Sequence, residues 1–337
     1  MANTFSSPRF FAAALLLAAL ASAPASAADA DAAGRTAVLA SGRTFCGQFV
    51  SADAENQRAL PGTEPPGLVA AKASGARPDG GGAERSNLQF RAAGAERGPA
   101  NETVPAAALV RWGQFVETAA GPQLLLADGG LLVARPTAID EGKLVVRSDL
   151  FGNVTLPAGA VAAILLHPPA DRERRDQAIA AALGTADANS PDGPPAADAA
   201  PAGERRDRVL LENGDELVGT LGAWHDERIK IDTDAGPLEL ETDQVTAVQF
   251  GSRRPTGENA AAKPLKFVVG WRDGSRLVAS ALTTRGADTR TTLSGVEPVV
   301  TLSAETAAIT ALQTLGGEAV YLSDLRPAGY KHIPFLQ

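Results

Sequence analysis

The stretch from position 208 to 250 constrains the fold most, because it divides into five short apolar or alternating runs separated by turn signals. Asn213-Gly214 predicts a type I′ hairpin turn, which needs positive φ at both central residues. The expected strands are 208–211, 216–223, 228–232, 238–241 and 245–250, with one helical turn at 242–244. Five strands of this length predict a small closed β-barrel.

The same pattern occurs four times along the chain. A turn glycine is followed three residues later by a large apolar residue, at Gly42, Gly129, Gly214 and Gly274. Five residues after each glycine stands a small residue, namely Gly47, Ala134, Gly219 and Ala279. A small residue is expected where a strongly bent strand leaves no room for a side chain. The sequence therefore predicts four units of one β-rich fold.

The 337 residues exceed what one hydrophobic core usually organises, so several domains are expected. The predicted fold class is all-β: tandem small five-stranded barrels in two pairs, with one short linker helix between the pairs. The predicted segments are a signal peptide (1–27), barrel 1 (35–116) with a disordered insertion (53–86), barrel 2 (121–167), a helix plus flexible linker (168–206), barrel 3 (207–251), barrel 4 (264–315) and a separate C-terminal stretch (318–337).

The first residues have the pattern of an export signal. Arg9 supplies a positive charge, an apolar run follows, and Ala25-Ser26-Ala27 is a small-residue cleavage site. A periplasmic or extracellular location, with no integral membrane segment after cleavage, is the expectation. The formal net charge of −8 makes nucleic acid a poor partner, because an acidic surface repels phosphate groups.

Two residues have both a functional and a structural interpretation. Cys46 is the one cysteine of the chain, so it forms no internal disulfide; we interpret it as a small apolar strand residue rather than a nucleophile or an intermolecular bridge. Trp112, in a predicted last strand, could stack on a sugar, but a tryptophan there is more typical of core or inter-barrel packing.

The residues give no signal for catalysis. His167, His225 and His332 lie far apart in the sequence and outside any metal-ligand spacing, so each is expected on the surface or in a turn. The acid pairs Asp215-Glu216 and Asp226-Glu227 could serve a glycosidase, but adjacent strand residues face opposite ways. We therefore expect a non-enzymatic protein without catalytic residues, metal site or cofactor.

Five strands with a helical turn before the last resemble the SH3-like and Sm-like small barrels. The C-terminal residues 320–327, VYLSDLRP, resemble the opening strand of the NPCBM/NEW2 module, a carbohydrate-binding type of domain found beside family 98 glycoside hydrolases. Together with LVRWG (109–113) and DRVLLENGDEL (207–217), they resemble bacterial secreted proteins in which small barrels precede such a module. That resemblance implies a β-sandwich of which this chain holds only the start.

Three interpretations of the C-terminal stretch follow. The chain is a fragment that lacks the sugar-binding part, or the stretch is a strand that packs on the last barrel, or Tyr321 and Tyr330 are docking aromatics. We favour an exported envelope protein that supports carbohydrate binding, with polysaccharide or envelope proteins as partners. The alternative is a structural or protein-interaction scaffold that holds a partner by strand addition, and the third hypothesis is part of a glycoside hydrolase. The ligand-binding residues stay open.

Overall fold

The strands in the described part of this protein form one antiparallel sheet of 21 strands. The structure is a computed structural model that describes residues 35–55, 86–93, 101–117, 121–183, 206–225, 227–251 and 264–320. In these residues one α-helix and four single-turn 3-10 helices accompany the strands, so the all-β prediction is confirmed.

Four groups of strands follow one another along the chain. The first is β1 (Arg35–Leu39), β2 (Thr44–Glu55), β3 (Asn87–Ala92), β4 (Asn101–Pro105) and β5 (Leu109–Gly113). The second is β6 (Gln123–Leu126), β7 (Leu131–Val133), β8 (Arg135–Asp140), β9 (Lys143–Ser148), β10 (Gly152–Pro157) and β11 (Val161–Leu165). The third is β12 (Asp207–Leu211), β13 (Glu216–His225), β14 (Arg228–Thr233), β15 (Gly236–Glu241) and β16 (Val245–Gln249). The fourth is β17 (Lys266–Trp271), β18 (Arg276–Arg285), β19 (Asp288–Leu293), β20 (Thr301–Glu305) and β21 (Ile309–Leu315).

Every group has the same internal order. The strands before the last pair in succession as hairpins, and the last strand pairs with the first instead of with its predecessor, which gives the pairs β1–β5, β6–β11, β12–β16 and β17–β21. In the second group, β7 and β8 together replace the long second strand. A 3-10 turn precedes each last strand, at Ala106–Ala108, Ala158–Ala160, Thr242–Gln244 and Thr306–Ala308. The helical turn predicted at 242–244 is therefore confirmed.

The first hairpin of every group uses one kind of turn. In the third group Gly214 N–H donates to Leu211 O at 3.0 Å, and Leu211 N–H donates to Asp215 O at 2.9 Å. Gly214 has a φ of 89°, whereas Asn213 keeps a negative φ. The predicted type I′ turn is therefore wrong: this is a type I turn followed by a left-handed glycine. The loop is one residue longer than that of a type I′ hairpin. The Asn213 side-chain oxygen accepts a hydrogen bond from Asp215 N–H at 3.0 Å.

The small residue five positions after the turn glycine is explained by the neighbouring strand. A Cβ at Gly219 would lie 2.4 Å from Asp232 O, and a Cβ at Gly47 would lie 3.0 Å from Arg91 O. A register shift, typical of a β-bulge, interrupts the second strand a few residues later, between Leu221 and Ala223 in the third group. The prediction that a bent second strand excludes a larger side chain is supported by these contacts.

Strand pairing between groups crosses the linker. β5 pairs with β21 and β2 with β18, which joins the first group to the fourth. β11 pairs with β16 and β8 with β13, which joins the second group to the third. The expectation of two pairs on either side of the linker is therefore wrong, because the pairs are nested. Arg35 Nη1 donating to Ile309 O at 2.6 Å is one such contact, and no local sequence pattern encodes a separation of 274 residues.

One hydrophobic core extends through all four groups. In the first group, Trp112 lies 5.8 Å from Phe49 and 5.9 Å from Phe90, measured between ring centroids. Trp271 of the fourth group meets Phe151 of the second edge-on at 5.2 Å. Such aromatic contacts between groups bury large apolar areas and therefore help to fix the groups to one another.

The helix α1 (Arg172–Ala182) covers the junction of the second and third groups. Asp171 caps its start, with Oδ1 accepting from Arg174 N–H at 2.9 Å. Ile179 and Leu183 pack on a small cluster that includes Leu125, Ala163, Leu165 and Ala247. The helix predicted within 168–206 is therefore confirmed.

Several predictions concern residues outside those described: the signal peptide (1–27), the flexible linker (184–203), most of the C-terminal stretch (318–337) and most of the insertion (53–86). The predicted start of that insertion is three residues too early, because β2 continues to Glu55, where it pairs with β18. No helix of the described residues has both the length and the apolar character needed to cross a membrane.

Candidate functional site

Trp112 is a core residue and not a sugar-stacking platform. Its side chain is 2% exposed, and its Nε1–H donates to Gly47 O at 2.8 Å. Trp224 and Trp271 are 1% and 0% exposed. All three tryptophans are therefore occupied by packing, and none of them offers a ring face to a sugar.

The other residues singled out from the sequence are not brought together. Cys46 is exposed on β2, with Thr36 Oγ1 3.8 Å from its sulfur. His167 and His225 are exposed, as expected, and His332 lies outside the described residues. Asp215 and Glu216 are exposed at a hairpin, and Glu216 pairs with Arg208 at 3.2 Å. For Asp226-Glu227 the first residue is outside those described.

Metal-ligand geometry is likewise missing from the part of the chain that the structure describes: it holds no cluster of three or more His, Cys, Asp or Glu side chains. A shallow, open depression along α1 is lined by charged side chains such as Asp171, Arg172 and Glu173. That depression is too open to enclose a small molecule.

Two hairpin turns meet where the second and fourth groups touch. Ser275 Oγ accepts from Val133 N–H at 2.9 Å and donates to Asp273 Oδ2 at 2.9 Å. Asp128 Oδ1 accepts from Gly130 N–H at 2.8 Å, while its buried Oδ2 accepts no hydrogen bond from any described residue. Burial raises the pKa of both carboxyl groups, against the lowering effect of these hydrogen bonds.

Because the pKa of Asp128 is raised, this side chain makes the stability of the fold depend on pH. Because its folded-state pKa is above its unfolded value of about 4, the fold binds the proton more tightly than the unfolded chain does. Its contribution is complete below the unfolded pKa and is lost as the pH rises through the raised folded pKa. At neutral pH this carboxylate therefore destabilises the contact between the two turns.

Four strands have only one neighbour among the described residues. We call β4, β10, β15 and β20 the edge strands; each pairs with the preceding strand of its own group alone. A strand with one unpaired side presents a row of free N–H and C=O groups that can pair with another chain. The edge strands are therefore the candidate functional site of this fold.

The direction of each backbone group follows from the register. Ala158 N–H donates to Gly142 O at 2.7 Å, and this pair continues the register in which Pro157 lies opposite Lys143. Hydrogen-bonded and non-hydrogen-bonded pairs alternate along an antiparallel ladder. Asn153 and Thr155 therefore direct their N–H and C=O groups away from β9, toward the unpaired side.

The same register holds in the other groups. Ala106 N–H donates to Ser86 O, Thr242 N–H to Glu227 O and Thr306 N–H to Ala287 O. The outward positions are consequently Asn101, Thr103 and Pro105 in β4; Asn153, Thr155 and Pro157 in β10; Pro237, Glu239 and Glu241 in β15; Thr301, Ser303 and Glu305 in β20.

The four edges differ in chemistry. Acidic residues and proline at the outward positions of β15, and Glu305 in β20, are features that discourage edge-to-edge pairing. β4 and β10 share one uncharged pattern, Asn-x-Thr-x-Pro, at 101–105 and 153–157. The sequence predicts open edges in general but not which strands have them; this repeated pattern is the signal that could have found them.

Comparisons with known proteins identify no relative. No family model matches the chain, and neither a curated protein nor a solved structure is similar to it. The function has to be inferred from the geometry of the chain itself.

Proposed function

We propose that this protein is a non-enzymatic, exported scaffold that holds extended segments of partner proteins along its edge strands. The observation that carries the proposal is the set of four edge strands, each regular and each with one unpaired side among the described residues. Adding a strand to a sheet edge uses backbone hydrogen bonds for affinity, so it needs no cavity.

In this proposal each strand group is a small barrel of the SH3-like or Sm-like type. The return of the last strand to the first, and the 3-10 turn before the last strand, support this interpretation. The outward positions of the edge strands are exposed, with only Pro157 half-buried, so a partner could reach them.

Carbohydrate binding stays a prediction that depends on the stretch 318–337, most of which lies outside the described residues. The burial of the three tryptophans favours the scaffold hypothesis for the strand groups. Retention of the purified chain on an insoluble polysaccharide would support the carbohydrate hypothesis instead, and turnover of glycosides would support a hydrolase.

Proline substitution at all four edges tests the scaffold. Thr103, Thr155, Glu239 and Ser303 hold equivalent outward positions, and proline there removes one outward N–H without removing a bond to the neighbouring strand. The full chain, immobilised and exposed to envelope proteins of the producing cell, is expected to retain specific partners that the fourfold variant loses. Equal retention by a fourfold variant with an unchanged circular dichroism spectrum would contradict the proposal.

A further inference from the structure

The edges of β4 and β10 combine uncharged outward positions with an arginine on the adjacent strand. Arg147 of β9 is directly opposite Asn153, and Arg135 of β8 is directly opposite Arg147. In the first group, Arg91 of β3 is directly opposite Asn101. The two uncharged edges therefore each have an arginine on the adjacent strand, next to the same asparagine.

These arginines are exposed, and no acidic side chain among the described residues pairs with them. Neither Arg91, Arg135 nor Arg147 forms an ion pair with any described residue, whereas Arg43, Arg208 and Arg228 each do. Like charges directly opposite one another on a sheet, as at Arg135 and Arg147, are destabilising. Two unpaired cations held side by side therefore favour a ligand that supplies negative charge.

The third and fourth groups provide the internal contrast. Asp232 stands opposite Pro237 where the first two groups have arginine opposite asparagine, and Thr292 stands opposite Thr301. The fourth group does have Arg290 opposite Ser303, but Asp288 and Glu305 face each other at the same edge. The third group has an arginine on its adjacent strand β14, Arg228, but this side chain is already paired with Glu239 of the edge strand itself at 2.8 Å. An acidic segment would therefore meet carboxylates at the outward positions of β15 and β20, but uncharged outward positions beside an arginine at β4 and β10.

We propose that β4 and β10 are two equivalent binding sites for extended acidic segments of a partner protein. This inference rests on the proposed scaffold function and names its ligand class. The partner strand pairs with the outward N–H and C=O groups at Asn101 and Thr103, or at Asn153 and Thr155. Its acidic side chains lie on the face that carries the arginines.

The distances allow this contact. Neighbouring strands lie about 4.8 Å apart, so a strand added beside β10 is about 10 Å from β9. An arginine and a glutamate side chain together bridge such a gap. The net charge of −8 repels an acidic peptide at long range. Salt nevertheless screens exposed charges separated by more than about 8–10 Å, so the nearest arginines dominate.

Binding of synthetic peptides to the full chain tests the inference. The probes are three labelled eight-residue peptides in which valine alternates with glutamate, with threonine or with lysine, measured by fluorescence anisotropy at two salt concentrations. We expect the glutamate peptide to bind at least ten-fold more tightly than the lysine peptide, with a difference that shrinks at high salt because the pairs are exposed.

Matched variants locate the site. Thr103→Pro together with Thr155→Pro is expected to abolish binding of the glutamate peptide, and Arg91→Glu together with Arg147→Glu to weaken it at least ten-fold. Ser303→Pro, the equivalent substitution in β20, is the control and is expected to leave binding unchanged. The arginine variants leave the backbone intact, so they keep the test valid if a proline variant misfolds.

Three results would overturn the inference. Equal affinity for the glutamate and lysine peptides, with sensitivity to the edge prolines, would remove the acidic specificity while leaving the scaffold function in place. Binding unaffected by the variants at Thr103, Thr155, Arg91 and Arg147 would place the ligand elsewhere. Sedimentation that reveals self-association, lost in the Thr155→Pro variant, would make a second copy of this chain the occupant instead.

Discussion

Replacing Gly113 by alanine is expected to be among the most destabilising single-methyl additions in this chain. Gly113 ends β5, has a φ of 71°, and lies opposite Ala311 of β21. An added Cβ would be 2.1 Å from Thr310 O. That carbonyl accepts a hydrogen bond from Gln114 N–H at 3.2 Å, so it cannot move away without loss of a bond between the first and fourth groups.

Two costs add at this position. A left-handed φ costs a non-glycine residue about 1–2 kcal/mol, and overpacking of a tight contact typically costs about 1–3 kcal/mol. We therefore expect Gly113→Ala to lower the free energy of unfolding by roughly 2–5 kcal/mol. A change of this size is large compared with the total stability of a typical domain.

Gly121 separates the two costs. Its φ of 81° is similar, but an added Cβ would have no atom closer than Val133 Cγ1 at 3.9 Å. Gly121→Ala should therefore show the conformational cost alone, about 1–2 kcal/mol. The difference between the two variants measures the clash with Thr310.

Urea unfolding followed by tryptophan fluorescence is the assay, since Trp112, Trp224 and Trp271 are buried in three different groups. The midpoint should fall further for Gly113→Ala than for Gly121→Ala, with the slope unchanged. Equal midpoints would mean that β21 does not approach β5 as closely as the structure places it.

Three further substitutions test other contacts. Gly219→Ala should destabilise the fold by about 1–3 kcal/mol in thermal unfolding, because the new Cβ would be 2.4 Å from the Asp232 carbonyl oxygen. Gly222→Ala should cost less, because no atom would be nearer than 3.6 Å to its Cβ. Equal costs would contradict the explanation given for the small residue at position 219. Trp112→Phe should destabilise the fold more than Trp271→Phe. The first variant loses a 2.8 Å hydrogen bond, whereas the Trp271 Nε1–H has no acceptor among the described residues. The reverse order in urea unfolding would refute this reasoning. Asp128→Asn should stabilise the fold by about 1 kcal/mol at pH 7. This gain in stability should vanish below about pH 4, where the aspartate is protonated. A gain that does not change with pH would rule out burial of the charge as its cause.

The strands and their spacing could be predicted because their signals are local. In the third group the predicted runs 228–232 and 238–241 differ from β14 and β15 by one and two residues. A turn glycine and an alternating apolar pattern are read within ten residues, and they do not depend on which other part of the chain lies nearby.

The turn type and the burial of Trp224 could not be predicted with the same rules. Asn-Gly occurs in both type I′ turns and type I turns with a following left-handed glycine, and only the pairing of Leu211 with Asp215 decides between them. Trp224 faces the core because the register shifts between Leu221 and Ala223, which breaks strict alternation. Both outcomes depend on the partner strand and not on the local sequence.

The repeats differ from one another mainly where the fold does not need them to agree. The turn glycines Gly42, Gly129, Gly214 and Gly274 have φ values of 81°, 89°, 89° and 89°, a conformation that other residues adopt only at a cost. The outward positions of the edge strands, by contrast, change from Asn-Thr-Pro in two groups to proline with two glutamates, or to Thr-Ser-Glu.

Core packing does not explain that difference, since the outward side chains of the edge strands face away from the core. Protection against uncontrolled pairing explains the acids and the proline of β15, but it leaves β4 and β10 without a charge at any outward position. Pro105 and Pro157 protect one outward position of each strand, but the asparagine and threonine positions keep free N–H and C=O groups that can pair with another chain. A partner bound at β4 and β10 would therefore explain why these two edges share the Asn-x-Thr-x-Pro pattern. The arginines on the adjacent strands indicate that such a partner should carry negative charge.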